Sequence, residues 1–499
     1  MQKADLSRAL LAGGFTIRPL ALDALLGYLH QAKIRDLYGE EFEEVQTKLG
    51  NCKVIDIADV QNLAEQPQNQ GGDWLVVLNV TQDLPHYTYS PDEGEFKPAP
   101  LPAIPADDHS SINMMQERLL TVRAILKANK LFEADQRIYG PKEARIELIT
   151  VDALVGSLNE KVVLGMLNRL DEVTWTLEDT TGSVKVDLSQ VEQPIYGYYP
   201  SGSVVLVQGE YQDGLFSVRA MVQPPASSFR SKVDLFGAAK WREAGKEEAG
   251  KVTRVNALVE NVRIVVLADV HLDDYRTLDK LHRVFQGYEG NAHMIFLLIG
   301  DFLSRPSFDA APYLQAFTAL TNLICQFPVL KDHCHWVVLP GPNDVGLGAI
   351  APRDALPDLF LEPLKQLSHF TAASNPCRLE ICGRKIVAFS TDLVRKMRRN
   401  SAVQPSDSQA CAFHLTHTLL HQAHLTPGRD HCSIWELDHT LRLLPLPDVL
   451  IYYDKCEQFV RVEEECLVLN PASFSHDSTF LFVSPGVKEA EECVVPELE

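Results

Sequence analysis

Three apolar runs in the second half of the chain each lead into side chains that bind metal ions, and this pattern constrains the fold more than any other. The runs are 264–268, 296–299 and 337–339. They are followed by carboxylate, imidazole and amide side chains, namely Asp269 and His271, then Asp301, then Asn343. Continuously apolar segments are typical of strands that are buried on both faces. The sequence therefore predicts a layered α/β domain whose strand ends gather ligand-type side chains.

The order of these segments resembles that of calcineurin-like phosphoesterases, in which D-x-H, G-D and G-N-H-[DE] follow successive strands. Enzymes of that class hold two metal ions about 4 Å apart, which clamp a phosphoryl group and lower the pKa of a bridging water. The resemblance implies that Asp269 and His271 would bind the first metal and that Asp301 would bridge both. An alternative for Asp269 and Asp301 is that their carboxylates cap helices or turns at the strand ends.

The third motif is altered, and the alteration argues against catalysis. The chain has G-P-N-D at 341–344, so that Pro342 replaces the Asn ligand and Asn343 replaces the His that acts as general acid. A slip of one residue would keep Asn343 as a ligand, but no His follows it. Lys455 follows the last matching strand, where the class has G-H-x-H, and its ammonium would compete with a metal ion.

We therefore expect a vestigial pocket and a phosphoesterase fold reused as a scaffold. Its candidate metal ligands are Asp269, His271, Asp301, Asn343 and His424, the last of these in Q-A-H-L-T-P. One divalent ion could bind weakly there, but we predict no catalytic residue and no required cofactor. The enzyme alternative is a manganese-dependent phosphodiesterase or nuclease that uses the residual site.

A second histidine group lies on a predicted helix. His414, His417, His421 and His424 recur at spacings of three, four and three, which places them on one helix face. Zinc could use two or three of them, yet no Cys or Glu completes an H-E-x-x-H pattern. We favour a solvated or interface stripe over a zinc site.

Residues 146–222 alternate apolar and polar side chains, the period of half-buried strands. A strand at 162–167, a hairpin at 173–188 and a strand pair around Asp213 are predicted. Several short strands in so short a segment fit a small barrel of the OB type. The nearby tyrosines lack basic companions, so packing or protein contact is favoured over binding of a single strand.

The whole chain is predicted to be multidomain α+β. Leucines at helical spacing indicate a small N-terminal helical bundle, and the Pro-rich stretch 97–105 is predicted to be extended. Six strands are expected in the phosphoesterase part, at 264–268, 294–299, 336–339, 385–389, 449–453 and 466–469. The predicted division is a helical domain at 1–66, a Pro/Gln-rich linker at 67–112 that includes one strand at 74–80, a helix plus OB-fold at 113–235, a linker at 236–261, the degenerate phosphoesterase domain at 262–488 and an acidic tail at 489–499.

Charge and cysteine usage narrow the functional classes. The formal net charge of −21 disfavours autonomous DNA binding, because a phosphate backbone repels such a chain. The basic cluster at 395–399 is expected to be an exposed loop or helix end, although it could touch nucleic acid or act as a nuclear address. Ten cysteines without a C-x-x-C pair indicate reduced thiols in the cytosol or nucleus. No apolar stretch approaches the ~20 residues of a membrane span.

The barrel followed by the altered phosphoesterase domain resembles the B-subunit family of replicative DNA polymerases, and its polymerase epsilon branch most of all. The likeness covers roughly 110–485 and rests on the segments L-E-D-T-T-G-S-V-K-V-D-L-S at 177–189, L-P-G-P-N-D at 339–344, Q-A-H-L-T-P at 422–427, L-P-D-V-L-I at 446–451 and L-N-P-A-S-F at 469–474. Ala472 stands where the family has Gly. The chain also retains both Asp269 and His271, whereas many eukaryotic members have lost one or both of these ligands.

The resemblance implies a non-catalytic accessory subunit that acts in DNA replication in the nucleus. Its barrel and phosphoesterase domains would dock the cysteine-rich C-terminal module of the catalytic subunit of DNA polymerase epsilon. Its N-terminal helices would contact the replicative helicase through GINS, and DNA would be reached indirectly through the holoenzyme. A third alternative is a single-strand-binding module that acts through the barrel, which the acidic charge disfavours.

Overall fold

A computed structural model describes most of the chain from residue 75 onwards. The described residues are 16–17, 54–55, 75–84, 86–90, 95–99, 110–127, 132, 146–157, 159–230, 262–291, 294–346, 350–381, 383–406, 409–429 and 433–495. They belong to two compact units, 1–74 and 75–499. In the first unit, strand β1 (Thr16–Ile17) pairs in parallel with β2 (Val54–Ile55). The helices predicted for 1–66 and the linker predicted at 236–261 lie outside the described residues.

The segment predicted as a linker at 67–112 contributes ordered structure, which corrects that prediction. Strand β3 (Leu75–Asn79) pairs antiparallel with Cys377–Ile381, a strand of the phosphoesterase domain about 300 residues away in sequence. Strands β4 (His86–Ser90) and β5 (Glu95–Ala99) form a separate hairpin. Pro98 lies in β5, which a proline tolerates because a two-stranded sheet has only edge strands.

A closed barrel of the OB type follows, as the alternating pattern predicted. Its strands are β6 (Leu148–Ile149), β7 (Lys161–Arg169), β8 (Trp175–Glu178), β9 (Ser183–Asp187), β10 (Ser203–Gln212) and β11 (Leu215–Val222). The order is β6-β7-β8-β9-β11-β10, and β10 also pairs with β7, so the sheet closes on itself. Along β9 the side chains of Val184 and Val186 are buried while their neighbours are exposed or half-buried. The alternation that identified the strands therefore also fills the barrel.

The phosphoesterase domain is built on two six-stranded sheets. The first has the order β15-β14-β13-β12-β21-β22 and consists of β12 (Arg263–Ala268), β13 (Met294–Ile299), β14 (His335–Leu339), β15 (Phe370–Ala372), β21 (Thr479–Ser484) and β22 (Glu489–Val494). The second has the order β19-β20-β18-β17-β16-β3 and adds β16 (Cys377–Ile381), β17 (Arg384–Ser390), β18 (Val449–Tyr453), β19 (Phe459–Glu463) and β20 (Cys466–Asn470). All six predicted strands of this domain are present.

Strand β22 corrects the predicted acidic tail at 489–499. Residues Glu489–Val494 pair antiparallel with β21 at the edge of the first sheet. Four of its six side chains are exposed and the other two are half-buried. An edge strand can carry charge on its outer side at little cost, and such charge blocks pairing with another chain.

Helices cover the sheets and connect them to the barrel. They are α1 (Val80–Asp83), α2 (Ser110–Lys127), α3 (Ser227–Arg230), α4 (Tyr275–Tyr288), α5 (Ala310–Ile324), α6 (Pro328–His333), α7 (Asp358–Leu361), α8 (Val394–Arg399), α9 (Cys411–Gln422) and α10 (Phe474–Asp477). The basic cluster at 395–399 forms most of the short helix α8. An exposed loop or helix end was predicted there. Among the described residues, no helix has both the length and the apolar character needed to cross a membrane.

The barrel contacts the phosphoesterase domain through buried hydrogen bonds to α9. The Gln422 side chain accepts from Val204 N (2.9 Å) and donates to Val204 O (2.8 Å), as a neighbouring strand would. Thr418 accepts from Tyr198 N at 2.7 Å. Tyr198 and Tyr199 are buried, which agrees with the packing role predicted for the barrel tyrosines, whereas Tyr196 remains exposed.

Candidate functional site

A pocket of about 710 Å³ lies where strand ends of the two sheets meet. Its polar lining comes from the end of β18, the start of β21 and the segments that follow β12, β13, β14, β18 and β20, namely Asp269, His271, Asp301, Ser304, Asn343, Tyr453, Lys455, Glu457, Gln458, Ser473, His476, Asp477 and Thr479. Four of the five candidate ligands predicted from the sequence are in this lining. Parallel strands β12, β13 and β14 place their carboxyl ends side by side, which is why these residues converge.

Asp269 lies directly after β12 in a left-handed backbone conformation, with a φ of 55°. Its carboxylate is buried, and Ser473 Oγ donates to Oδ2 at 2.6 Å. Oδ1 lies 3.0 Å from His271 Nε2. Burial acts to raise the pKa of this carboxyl, but the hydrogen bonds from His271 and Ser473 outweigh it, so the pKa lies below its usual value. Both carboxylate oxygens therefore already have partners within the chain.

His271 and His476 stand next to Asp269 and complete a set of three ligand-type side chains. The ligand atoms of these three residues all lie within 4.8 Å of one another. The two imidazoles meet edge to face, with ring centroids 5.4 Å apart. Burial acts to lower the pKa of His271, but the hydrogen bond to Asp269 and the nearby carboxylates raise it overall. These three residues fit one divalent ion by donor type.

Asp301 is paired with Asn343 across the strand ends. The backbone N of Asn343 donates to Asp301 Oδ1 at 2.8 Å, and the Asn343 amide donates to Oδ2. The carboxylate thus caps the turn after β14, the alternative weighed for it from the sequence. Burial and the charge of Asp269 raise the pKa of Asp301, although the Asn343 hydrogen bonds and Lys455 oppose the rise.

Asp344 stabilises this turn through hydrogen bonds from its buried side. It is buried, and it accepts hydrogen bonds from Gly341 N (2.8 Å), Phe302 N (2.9 Å) and the Tyr313 hydroxyl (3.2 Å). Burial and the charge of Asp301 raise its pKa to about 7. Asp344, the last residue of the altered motif, therefore links the segments that follow β13 and β14 through buried hydrogen bonds.

Tyr453 and Lys455 take the place of the imidazoles that the enzyme class has after the corresponding strand. Both line the pocket, and the charge of Lys455 acts on Asp301, as expected from the sequence. Burial, together with the charges of Asp269 and Asp301, raises the pKa of the Tyr453 hydroxyl above its ordinary value. A neutral phenol and an ammonium are poor replacements for two imidazole ligands.

His424 is not in this pocket, which corrects its assignment as a fifth vestigial ligand. It is buried between α2 and the 3₁₀ segment Trp435–Leu441, with Nε2 3.2 Å from Asp438 Oδ1. Its Nδ1 accepts from Thr426 N at 3.0 Å. Burial and the Arg118 guanidinium lower the pKa of His424 to about 4. The imidazole is therefore a neutral member of a buried network that includes Arg118 and Arg442.

The other three histidines of the predicted stripe lie on α9. His414 is buried and accepts from Gly197 N at 3.1 Å. His417 and His421 stack with ring centroids 3.8 Å apart. They lie beside Glu463 of β19, and the ligand atoms of these three residues all lie within 4.8 Å of one another. The sequence showed no Cys or Glu that completes an H-E-x-x-H pattern, and it gave no sign of Glu463, which is more than forty positions from α9.

Sequence reasoning also missed Ser473 and His476 in the main pocket. Both come from the segment after β20, whose N-P-A-S-F motif was noted only for its resemblance. Ser473 is the N-cap of α10, and its Oγ accepts from His476 N at 3.1 Å. The available signal was a short polar S-F-S-H-D sequence after a continuously apolar strand, the same pattern that revealed Asp269 and Asp301.

Comparison with known families assigns both domains. The family described as the B subunit of DNA polymerase alpha/epsilon matches residues 264–461, and the "DNA polymerase epsilon subunit 2-like, OB-fold domain" matches 108–225. The human protein named DNA polymerase epsilon subunit 2 is 31% identical over 432 residues, which span 82% of this chain and 81% of the human one. The mouse protein of the same name is 29% identical over 487 residues, which span 90% of this chain and 92% of the mouse one.

Proposed function

This chain belongs to the family of DNA polymerase epsilon subunit 2, and from that premise we propose that it scaffolds the polymerase epsilon holoenzyme. The family is that of a non-catalytic subunit, so the proposal concerns how it assembles its partners. Barrel and phosphoesterase domains dock the cysteine-rich C-terminal module of the catalytic subunit. The N-terminal unit reaches the replicative helicase through GINS, and the complex acts in the nucleus.

The observation that carries the scaffold proposal is the state of the pocket carboxylates. Asp269 is held by Ser473 and His271, and Asp301 is held on both oxygens by Asn343. Two-metal hydrolysis needs such oxygens free for metal ions and needs a general acid beside the leaving group. The hydrogen bonds within the chain at both carboxylates support a pocket whose role is to stabilise the strand ends and not to catalyse a reaction.

The test is recovery of partners by the tagged full chain from nuclear extract, quantified by mass spectrometry. We expect a catalytic polymerase subunit at near one-to-one stoichiometry, together with GINS. A chain that starts at Leu75 keeps the second unit and should retain the polymerase subunit while losing GINS. A monodisperse, stable full chain without affinity for the catalytic subunit's C-terminal module would contradict the proposal.

A second candidate is a manganese-dependent phosphodiesterase, which the grouping of Asp269, His271 and His476 favours. One divalent ion at these residues would supply Lewis-acid activation of a phosphoryl oxygen. Hydrolysis that depends on manganese and is abolished by Asp301→Asn would support this candidate. Hydrolysis that survives Asp301→Asn would identify a contaminating enzyme.

A further inference from the structure

Helix α9 and strand β19 bring two imidazoles and a carboxylate to one point outside the main pocket. His417 and His421 are one helical turn apart, and Glu463 ends β19 beside them. Glu463 Oε1 lies 2.9 Å from His417 Nδ1 and 3.8 Å from His421 Nε2. The ligand atoms of a tetrahedral zinc site lie about 3.3 Å apart, because each bond to the metal is near 2.0 Å. The observed spacings lie on either side of that value.

A hydrogen bond to the barrel determines which nitrogen of His421 carries the proton and which one presents a lone pair to the Glu463 carboxylate. His421 Nδ1 lies 3.0 Å from the carbonyl oxygen of Pro224, which can only accept a hydrogen bond. Nδ1 must therefore carry the proton, and Nε2 of the neutral imidazole presents a lone pair towards Glu463 Oε1, 3.8 Å away. A cation bound between these two acceptors would satisfy both. A histidine that donates its other N–H to a backbone carbonyl is also the usual arrangement in metal sites.

The second carboxylate oxygen of Glu463, Oε2, is available to coordinate a metal ion. This oxygen is buried and has no hydrogen-bond donor among the described residues. The Arg461 guanidinium stacks on Phe413, with Nε 3.6 Å from Oε2, which leaves Oε1 directed at the two imidazoles. The three side chains retain 14–17% exposure, so an ion can reach them from solvent.

We propose that His417, His421 and Glu463 form a binding site for a divalent transition metal of the zinc type. Two imidazoles and one carboxylate are a known zinc ligand set, and a fourth position stays open to water. The ion would connect α9 to β19, while Pro224 connects the same cluster to the barrel. This role goes beyond the proposed scaffold function and does not depend on it.

The first test measures zinc binding by the full chain after treatment with a chelator. We expect one zinc ion to bind at this site and to raise the melting temperature. Glu463→Gln keeps the shape of the side chain, and His421→Gln can still donate to Pro224 O, so both variants should fold. Each should weaken zinc binding at least about tenfold and abolish the metal-dependent rise in melting temperature. Cobalt should give a tetrahedral absorption spectrum in the wild type that both variants lose.

The control variant is His476→Asn, which alters the ligand group of the main pocket and leaves α9 intact. It should bind zinc with wild-type affinity at the proposed site. The proposal is overturned if zinc does not stabilise the wild type, or if His476→Asn removes the effect while Glu463→Gln does not. Should Glu463→Gln fail to fold, His421→Gln and the cobalt spectrum decide the matter.

Discussion

At the scale of single residues, the vestigial pocket is held together by donors that its own chain supplies. Ser473 and Asn343 occupy carboxylate oxygens that a phosphoesterase would leave to metal ions. A buried carboxylate is costly unless it is paired or hydrogen-bonded. These donors therefore allow Asp269 and Asp301 to remain at the strand ends of a scaffold.

The Ser473 hydroxyl should contribute measurably to stability. Ser473→Ala removes the 2.6 Å hydrogen bond to buried Asp269 and the cap of α10. We expect a loss of about 2 kcal/mol in the free energy of unfolding, measured by urea denaturation. The matched control is Ser304→Ala, which removes an exposed hydroxyl that donates to Asp273 and should change stability by less than about 0.5 kcal/mol. Equal effects of the two substitutions would contradict the role given to Ser473.

His424 should make folding stability depend on pH. Its pKa is about 4 in the folded chain and about 6.5 in an unfolded one, so the unfolded state takes up a proton first. The resulting stability is present above pH 6.5 and is lost as the pH falls towards 4. His424→Gln removes this contribution, so the stability gap between wild type and variant should narrow by about 2 kcal/mol from pH 6.5 to pH 5.

The pH effect is measured by urea denaturation at several pH values. The exposed His333 serves as the matched control, because His333→Gln leaves the buried network intact. A gap between wild type and His424→Gln that stays constant across this range would show that the folded chain already carries a protonated His424.

At the scale of elements, the apolar runs predicted strands correctly. The sequence did not reveal contacts between segments that are far apart in the chain. All six runs of the phosphoesterase domain form strands because burial on both faces leaves a continuous local signal. Strand β3 was recognised as a strand but was placed in a linker, because its partner β16 is about 300 residues away. His424 was placed in the pocket by motif order, although burial between helix α2 and the segment around Asp438 holds it elsewhere.

The bulge in β10 should not tolerate a side chain. The pairing of β10 with β11 shifts between Gln208 and Gly209, and a Cβ on Gly209 would lie 2.1 Å from the Ser217 carbonyl oxygen. Because the Cβ position is fixed by the backbone of residue 209 and the oxygen belongs to the backbone of Ser217, neither atom can move away cheaply. Gly209→Ala should therefore cost about 3 kcal/mol of unfolding free energy, measured by chemical denaturation.

The control for the bulge is Gly287→Ala in helix α4, where a Cβ meets nothing within 4 Å. Alanine is preferred over glycine inside a helix, so that change should stabilise the chain by about 0.5–1 kcal/mol. Opposite signs at the two glycines are the expected result. A neutral Gly209→Ala would mean that the barrel relaxes at this point.

At the scale of the whole molecule, one buried charge network connects segments that are far apart in sequence. Arg118 of helix α2 donates from Nε to Asp438 Oδ1 at 2.9 Å, and Arg442 donates to Asp438 Oδ2. Arg442 also donates to Glu117 at 2.8 Å. Burial acts to raise the pKa of Asp438, yet the positive charges of Arg118 and Arg442 hold it well below its usual value. The carboxylate is therefore ionised and depends on its partners.

Arg118→Met tests whether this network joins helix α2 to the phosphoesterase domain. The substitution keeps an unbranched side chain but leaves Asp438 with less compensation for its buried charge, so we expect a loss of about 3–5 kcal/mol in unfolding free energy. Arg395→Met, in the exposed basic cluster of α8, should change stability by less than about 0.5 kcal/mol. In a double-mutant cycle with Asp438→Asn, the second substitution should cost less once the first is present, because the unpaired charge is gone. Additive losses would mean that Arg118 stabilises the chain by packing alone, and the network would then be two independent contacts.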